Sequence, residues 1–219
     1  MDTGPVSKAM ARPNIVSVWE GKPELNRIDP EADEELIPQS RAQYVSEARA
    51  RRAVIVHFRQ RAARCTNFDQ VLADALRTIA DVLGARFTKY AEYDQSSDVI
   101  TVRALFGWPS DMVGMRIENA SSICQSGYAL RSGRTLVVED LRIVPELMTA
   151  PYARGHRLVS GVTVLVPGPE APYGALTIHW TSRRAVTPDE LDFLQGVAGA
   201  IAGAAYEFSQ RRAPYRPIN

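Results

Sequence analysis

Between Arg157 and Trp180 the chain reads RLVSGVTVLVPGPEAPYGALTIHW, two apolar runs on either side of a break at Pro167-Gly168-Pro169. Val162, Val164 and Val166 alternate with Gly161, Thr163 and Leu165. After the break, Gly174, Leu176, Ile178 and Trp180 alternate with Tyr173, Ala175, Thr177 and His179. Alternation with period two beside a Pro/Gly turn specifies an antiparallel hairpin. Neither face of either run carries a charged side chain, so both faces are covered. The hairpin is therefore the middle of a sheet, with helices on one side and a different layer on the other. Function is to be sought on that second side.

The rest of the chain has the means to supply those layers. It has 219 residues and 24.2 kDa, which fits one domain of about 150 residues with extensions. A 45% hydrophobic and 23% charged composition is that of an ordinary globular protein. The net charge of +1 gives no overall field toward nucleic acid or a membrane. Two cysteines make no disulfide framework and point to a reducing compartment, so a cytoplasmic location is expected. Met1-Asp2 does not open a basic-then-apolar leader. The longest apolar run, Val197 to Tyr206, is well short of the ~20 residues of a membrane span.

Residues 1–39 read as a flexible or partner-docking extension. Pro5, Pro13, Pro23, Pro30 and Pro38 punctuate them, and Asp29, Glu31, Asp33, Glu34 and Glu35 form an acidic run. Such a segment buries too little to offset its ordering entropy. If it docks, Ile15, Val16, Val18 and Trp19 are its anchor. Residues 40–64 lack Pro and Gly and predict a basic helix, with Arg41, Arg49, Arg51, Arg52, Arg59, Arg61 and Arg64 against Glu47. That helix could meet an acidic surface, be balanced by the acidic run upstream, or pair with its counterpart in a second subunit. His57 on it is expected to be an ordinary surface or interface residue.

Thr66 or Asn67 caps a second helix through Leu83, with Gly84 as its stop. Strands are expected at Arg86–Tyr93 and Val99–Phe106, with Tyr90, Glu92, Val102 and Ala104 facing one side. The stretch GWPSDMVGMRIENASS (107–122) is an irregular loop with Trp108 and Met112 poised to cover or plug a cavity. Ser121 or Ser122 opens a short helix that Gly133 ends, followed by a strand over Thr135–Val138 and a long loop over Leu141–Gly155. Thr187-Pro188-Asp189-Glu190 starts the last helix as a capping box with proline in the first turn. Gly196, Gly199 and Gly203 on that helix predict close approach of the sheet or of a partner helix.

No metal-ligand spacing joins His57, His156, His179, Cys65 and Cys124, and there is no phosphate loop or nucleophile elbow. Cys124, near a helix start, is the one candidate nucleophile. Glu139-Asp140 ends a strand under the expected roof, where a carboxylate either accepts ligand N–H groups or caps the next turn. Thr177 and His179 share one face of the second hairpin strand, and His156 precedes the hairpin.

In order, SSICQSGYALRSGRTLVVEDL (121–141), YGALTIHW (173–180) and TPDELDFLQGVAGAIAGA (187–204) resemble the GAF domain family, over about 67–208. The resemblance implies an α+β fold: a central antiparallel sheet with the N- and C-terminal helices on one face and a loop-roofed pocket on the other. It divides the chain into 1–39, the basic helix 40–64, a domain over 65–212 and a tail 213–219. It implies a sensory or regulatory module without catalysis of its own. Such a module binds a small molecule of unspecified identity and signals through a homodimer or a signalling partner. The ligand-binding candidates are Tyr90, Glu92, Trp108, Cys124, Tyr128, Asp140, His156, Thr163, Thr177 and His179, with no catalytic or metal residue and no cofactor specified. The alternatives are a ligand-free dimerisation scaffold and a reductase of free methionine sulfoxide using Cys124. GAF-type reductases of that kind use more than one pocket cysteine, and 141–155 contains none. Cys124-Gln125 likewise departs from the Cys-His pair that holds tetrapyrroles in related domains.

Overall fold

The computed structural model describes residues 37–212 except Arg154. The anchor Ile15–Trp19, the acidic run and the tail 213–219 lie outside the described residues. Helices α1 (Ile37–Arg64) and α2 (Phe68–Leu83) lead into strands β1 (Phe87–Asp94), β2 (Val99–Phe106) and β3 (Arg116–Ile117). Short helices α3 (Ala120–Ile123) and α4 (Gln125–Ser132) precede β4 (Leu136–Val138). Three 3-10 turns, the hairpin β5 (Ser160–Val166) and β6 (Gly174–Trp180), and α5 (Pro188–Arg212) complete the chain. The sheet is antiparallel, in the order β3-β2-β1-β6-β5-β4. The hairpin sits inside it, as its apolar alternation requires.

Alternation sorts each strand between two cores. Val162, Val164, Val166, Leu176, Ile178 and Trp180 pack toward the helices with Leu72, Leu76, Ile79, Phe193, Leu194, Val197 and Ile201. Phe87, Ala91, Ile100, Val102, Leu136, Val138 and Ala175 pack the other way, under Trp108, Met112, Cys124, Leu141 and Leu147 of the roof. Each fully buried aliphatic side chain stabilises by roughly 1.5–3 kcal/mol relative to exposure, so both faces contribute. Val102 and Ala104, expected to share a side, are split. Tyr90 pairs with Ala104 but Ala91 with Val102, leaving Arg103 as a bulged residue that shifts the alternation.

Local signals act where the sequence places them. Asn67 Oδ1 accepts the Asp69 N–H at 2.9 Å, and Gly84 (φ 59°) stops α2. Thr187 Oγ1 accepts the Glu190 N–H at 3.2 Å while Glu190 Oε2 accepts the Thr187 N–H at 3.0 Å, a reciprocal cap for α5. One cap differs from expectation. The segment after Asn119 is two helices, and Cys124 rather than a serine caps the second, its Sγ accepting the Gly127 N–H at 3.4 Å.

The helix layer is two deep. α2 and α5 lie on the sheet, and α1 packs on them through Phe58 and Ala62. Arg51 pairs with Asp189, and Arg59 comes near Gly199. A Cβ on Gly196 would lie 2.6 Å from Ile55 Cδ1. Residue numbers rise together along both helices, so α1 and α5 run parallel. Gly196 therefore makes room for α1 of the same chain, whereas the expectation was the sheet or a partner. The arginines of α1 find carboxylates within the fold: Arg51 with Asp189 and Glu47, and Arg61 with Asp74 at 2.9 Å.

Candidate functional site

On the roof face the middle strands carry a row of buried polar groups. Register places Lys89 of β1 beside Thr177 of β6, and Thr177 beside Thr163 of β5. All three are at most 1% exposed. The Thr177 and Thr163 hydroxyls are 3.0 Å apart, and Ser126 reaches down from α4 to Thr177 at 2.9 Å. One step along the strands, Phe87 pairs with His179 and His179 with Gly161. A Cβ on Gly161 would sit 2.6 Å from Gln125 Oε1 and 2.8 Å from His179 Cδ2. Glycine is what lets an amide and an imidazole converge on the sheet there.

Aromatic rings close that end. Trp108 lies 4.6 Å from Phe87, 4.9 Å from His156 and 5.9 Å from His179, centroid to centroid. His156 meets Phe87 edge-on at 5.2 Å. Burial, reinforced by the charge on Lys89, pushes the His179 imidazole down to about 3, so it is neutral at physiological pH. Burial also pushes the Lys89 ammonium down to about 8, with the Cys124 thiol acting in the opposite sense. Gln125 Oε1 and His179 Nδ1 are buried with no hydrogen-bond partner among the described residues. Buried polar atoms are rarely left so, because each forfeits its hydration.

The structure thus gathers Trp108, His156, Thr163, Thr177 and His179 on one face, with Cys124 and Tyr128 in the layer above. Cys124 is fully buried, its thiol donating to Ala120 O at 3.3 Å while accepting from Gly127, and its backbone bridges to Met148. Cys65, the other free thiol, lies at the α1–α2 junction beside Asn67. Asp140 caps the 3-10 turn Leu141–Ile143 and pairs with Arg142 at 2.6 Å. The Arg142 hydrogen bonds hold its carboxyl down to about 2. Tyr90 and Glu92 stand on the opposite, helical face: Tyr90 donates to Tyr173 O at 3.1 Å, and Glu92 pairs with Arg103 at 3.0 Å. They are separated from the roof cluster by the sheet itself. Sequence reasoning missed Lys89, Gln125 and Ser126. The signal for Lys89 was its alternation with Phe87 and Ala91 in FTKYAEYD, which places it among residues of a buried face.

Among the described residues no helix is long and apolar enough to cross a membrane, and no three metal-ligating side chains cluster.

A sequence model of the GAF domain matches residues 65–204. No curated protein sequence matches the chain. Among solved structures it is similar to the GAF domain of a phosphoenolpyruvate-protein phosphotransferase from Coxiella burnetii. The TM-score is 0.68 at 16% identity, over 76% of this chain and 98% of that one. It is similar to free methionine-R-sulfoxide reductase from Neisseria meningitidis, solved with its substrate, with TM-score 0.64 at 18% identity over 75% and 93%. It is also similar to the phycocyanobilin-bound GAF domain of a cyanobacterial phytochrome, with TM-score 0.61 at 14% identity over 74% and 97%. At these identities the likeness is one of fold.

Proposed function

Taking as premise that this chain belongs to the GAF domain family, a sensory and regulatory fold of signalling proteins, we propose that it binds a small molecule on the roof face of its sheet. The occupied site includes Trp108, His156, Thr163, Thr177 and His179, with Cys124 and Tyr128 above. The observation that carries this reading is the pair of buried, unpartnered polar atoms, Gln125 Oε1 and His179 Nδ1, beside an aromatic end wall. A core that served only packing would have apolar side chains there. One acceptor on Gln125 and one imidazole nitrogen on a neutral ring suit a ligand presenting hydrogen-bonding groups along one edge and a flat apolar body to Trp108.

The signal then leaves through the helix layer. β6 places His179 under the roof and Trp180 among the helices. Arg184 lies 4.6 Å over the Trp180 ring and bonds both Leu83 O of α2 and Glu190 of α5. A ligand that favours one setting of β6 thereby shifts α5 and its companion α1. The output is a homodimer or a protein partner engaged by those helices. Support comes from a hollow of about 280 Å³ between them, walled by Arg59, Ala62, Gly199, Gly203 and Glu207, and from exposed Val45, Val56 and Tyr206.

We assign no catalytic step. A reductase working through Cys124 has less support, because the thiol is buried, engaged on both sides and packed on the opposite face of the sheet from Cys65. The test is native mass spectrometry with an absorption spectrum on purified protein, then thermal shift against a metabolite panel. A bound or stabilising compound whose effect falls at least tenfold in His179→Ala and persists in Cys124→Ser supports the reading. Failure of every compound to bind, or loss of turnover in Cys124→Ser, overturns it.

A further inference from the structure

The helical face holds a second hollow that the reading above leaves unused. It has a volume of about 1020 Å³ and opens where the start of α2, the bulge of β2, the β5–β6 turn and the last turns of α5 meet. That is at the top of the range of small-molecule pockets, roughly 300–1,000 Å³. Phe68, Tyr173 and Phe208 supply apolar wall, with the Phe68 and Phe208 rings 5.7 Å apart. The charged side chains lining it are Asp69, Glu92 and Arg103, two negative and one positive, net −1. The bulge at Arg103 aims its guanidinium at both acids: Nη1 lies 3.0 Å from each Glu92 oxygen and Nη2 lies 3.3 Å from Asp69. A carboxylate has about four acceptor sites, so both acids keep capacity facing the hollow. At the amino end of α2, Asn67 Oδ1 takes up the Asp69 N–H, and the Asp69 carboxylate sits on that first turn.

We infer that this hollow is a second binding site, for an organic cation: an ammonium or guanidinium group on an apolar arm. The cationic head takes the remaining acceptor sites of Glu92 and Asp69, and the arm lies between Phe68, Tyr173 and Phe208. Three features favour that class. The wall is net negative, aromatic faces attract cations within about 6 Å, and Phe208 and Ser209 set the hollow against the last turns of α5, the negative end of its dipole. Because α5 forms one wall, a bound cation acts directly on the helix through which we propose the signal leaves. This site stands independently of any roof-side ligand, since the sheet separates the two.

The test uses the full chain labelled with nitrogen-15 and three matched probes: phenethylammonium, 2-phenylethanol and 3-phenylpropionate. Phenethylammonium is expected to give saturable amide shifts confined to 66–69, 90–93, 103, 173 and 205–209. Its affinity should exceed that of phenylpropionate at least tenfold. Glu92→Gln should weaken the ammonium about tenfold, while Arg103→Ala should strengthen it several-fold by leaving both acids to the ligand. That opposite sign is not expected of a merely structural ion pair. Equal response to the anion, shifts centred on residues 108, 156 and 177–179, absence of saturation, or weakening by Arg103→Ala would each overturn the assignment.

Discussion

Lys89 shows what one residue can conceal in a sequence. In FTKYAEYD its charge hides the alternation with Phe87 and Ala91, yet β1 is third in a six-stranded sheet and the side chain is 1% exposed. Its position relative to Thr177 is a matter of strand register, which no local pattern specifies. The same holds for Tyr90 and Glu92. Their alternation was legible, but the face of β1 that joins Thr177 and His179 is set by pairing with β6, eighty residues on. The buried ammonium has a measurable cost. Its folded pKa of about 8 lies below the ordinary 10.5. Between those values the unfolded chain holds more protons, so stability rises with pH across the window. Below pH 8 the full cost is present, roughly 3 kcal/mol at about 1.4 kcal/mol per unit. Lys89→Met should therefore stabilise the protein at pH 7 and flatten that rise, as read by urea unfolding at pH 7 and pH 10.5. An unchanged slope in the variant would contradict the burial argument. His179 works the same way lower down: held near 3 against an ordinary 6.5, it costs stability as pH falls through that interval.

At the scale of elements, the clearest sequence signals were those in which a side chain answers its own backbone. The start of α5 was readable from Thr187, Pro188 and Glu190 alone, and the structure closes that box reciprocally. Thr187→Ala should cost about 1 kcal/mol, seen as a lower melting temperature with wild-type secondary structure. Glu190→Ala should cost more, since Glu190 is 6% exposed and also holds Arg184. A variant pair with equal effects would mean that the Arg184 contact adds nothing. The break at Cys124 was not readable, because its cause is tertiary. A Cβ on Gly127 would lie 2.2 Å from the carbonyl of Ala120, so α3 and α4 can touch only as two pieces crossing at that glycine. The glycines of α5 misled in part for a related reason. Gly196 alone announces a close neighbour, and that neighbour, Ile55 of α1, is fixed by how the two helices lie together.

For the whole molecule, the layered plan followed from the hairpin: uncharged on both faces, it had to be central, and the order of the remaining elements did the rest. What the sequence left open was depth, since α1 lies on the other helices and not on the sheet. Gly203 tests whether the outer surface is itself a contact. A Cβ there meets nothing within 4 Å, so Gly203→Leu should leave the monomer intact or raise its stability by about 0.5–1 kcal/mol. If two copies join along the α1–α5 hollow, the same change should weaken the dimer at least tenfold by sedimentation. A wild-type protein that is monomeric at high concentration, or a variant dimer of unchanged strength, would remove that surface from consideration. The parallel course of α1 and α5 has a mechanical corollary. The chain comes in at one tip of a paired rod about 40 Å long and goes out at the other, with the sheet clipped to the flank. Residues 37 and 212 thus lie at opposite tips, and under the signalling route proposed above a slide or roll at the flank would act lengthwise, as torque or thrust along a drive shaft.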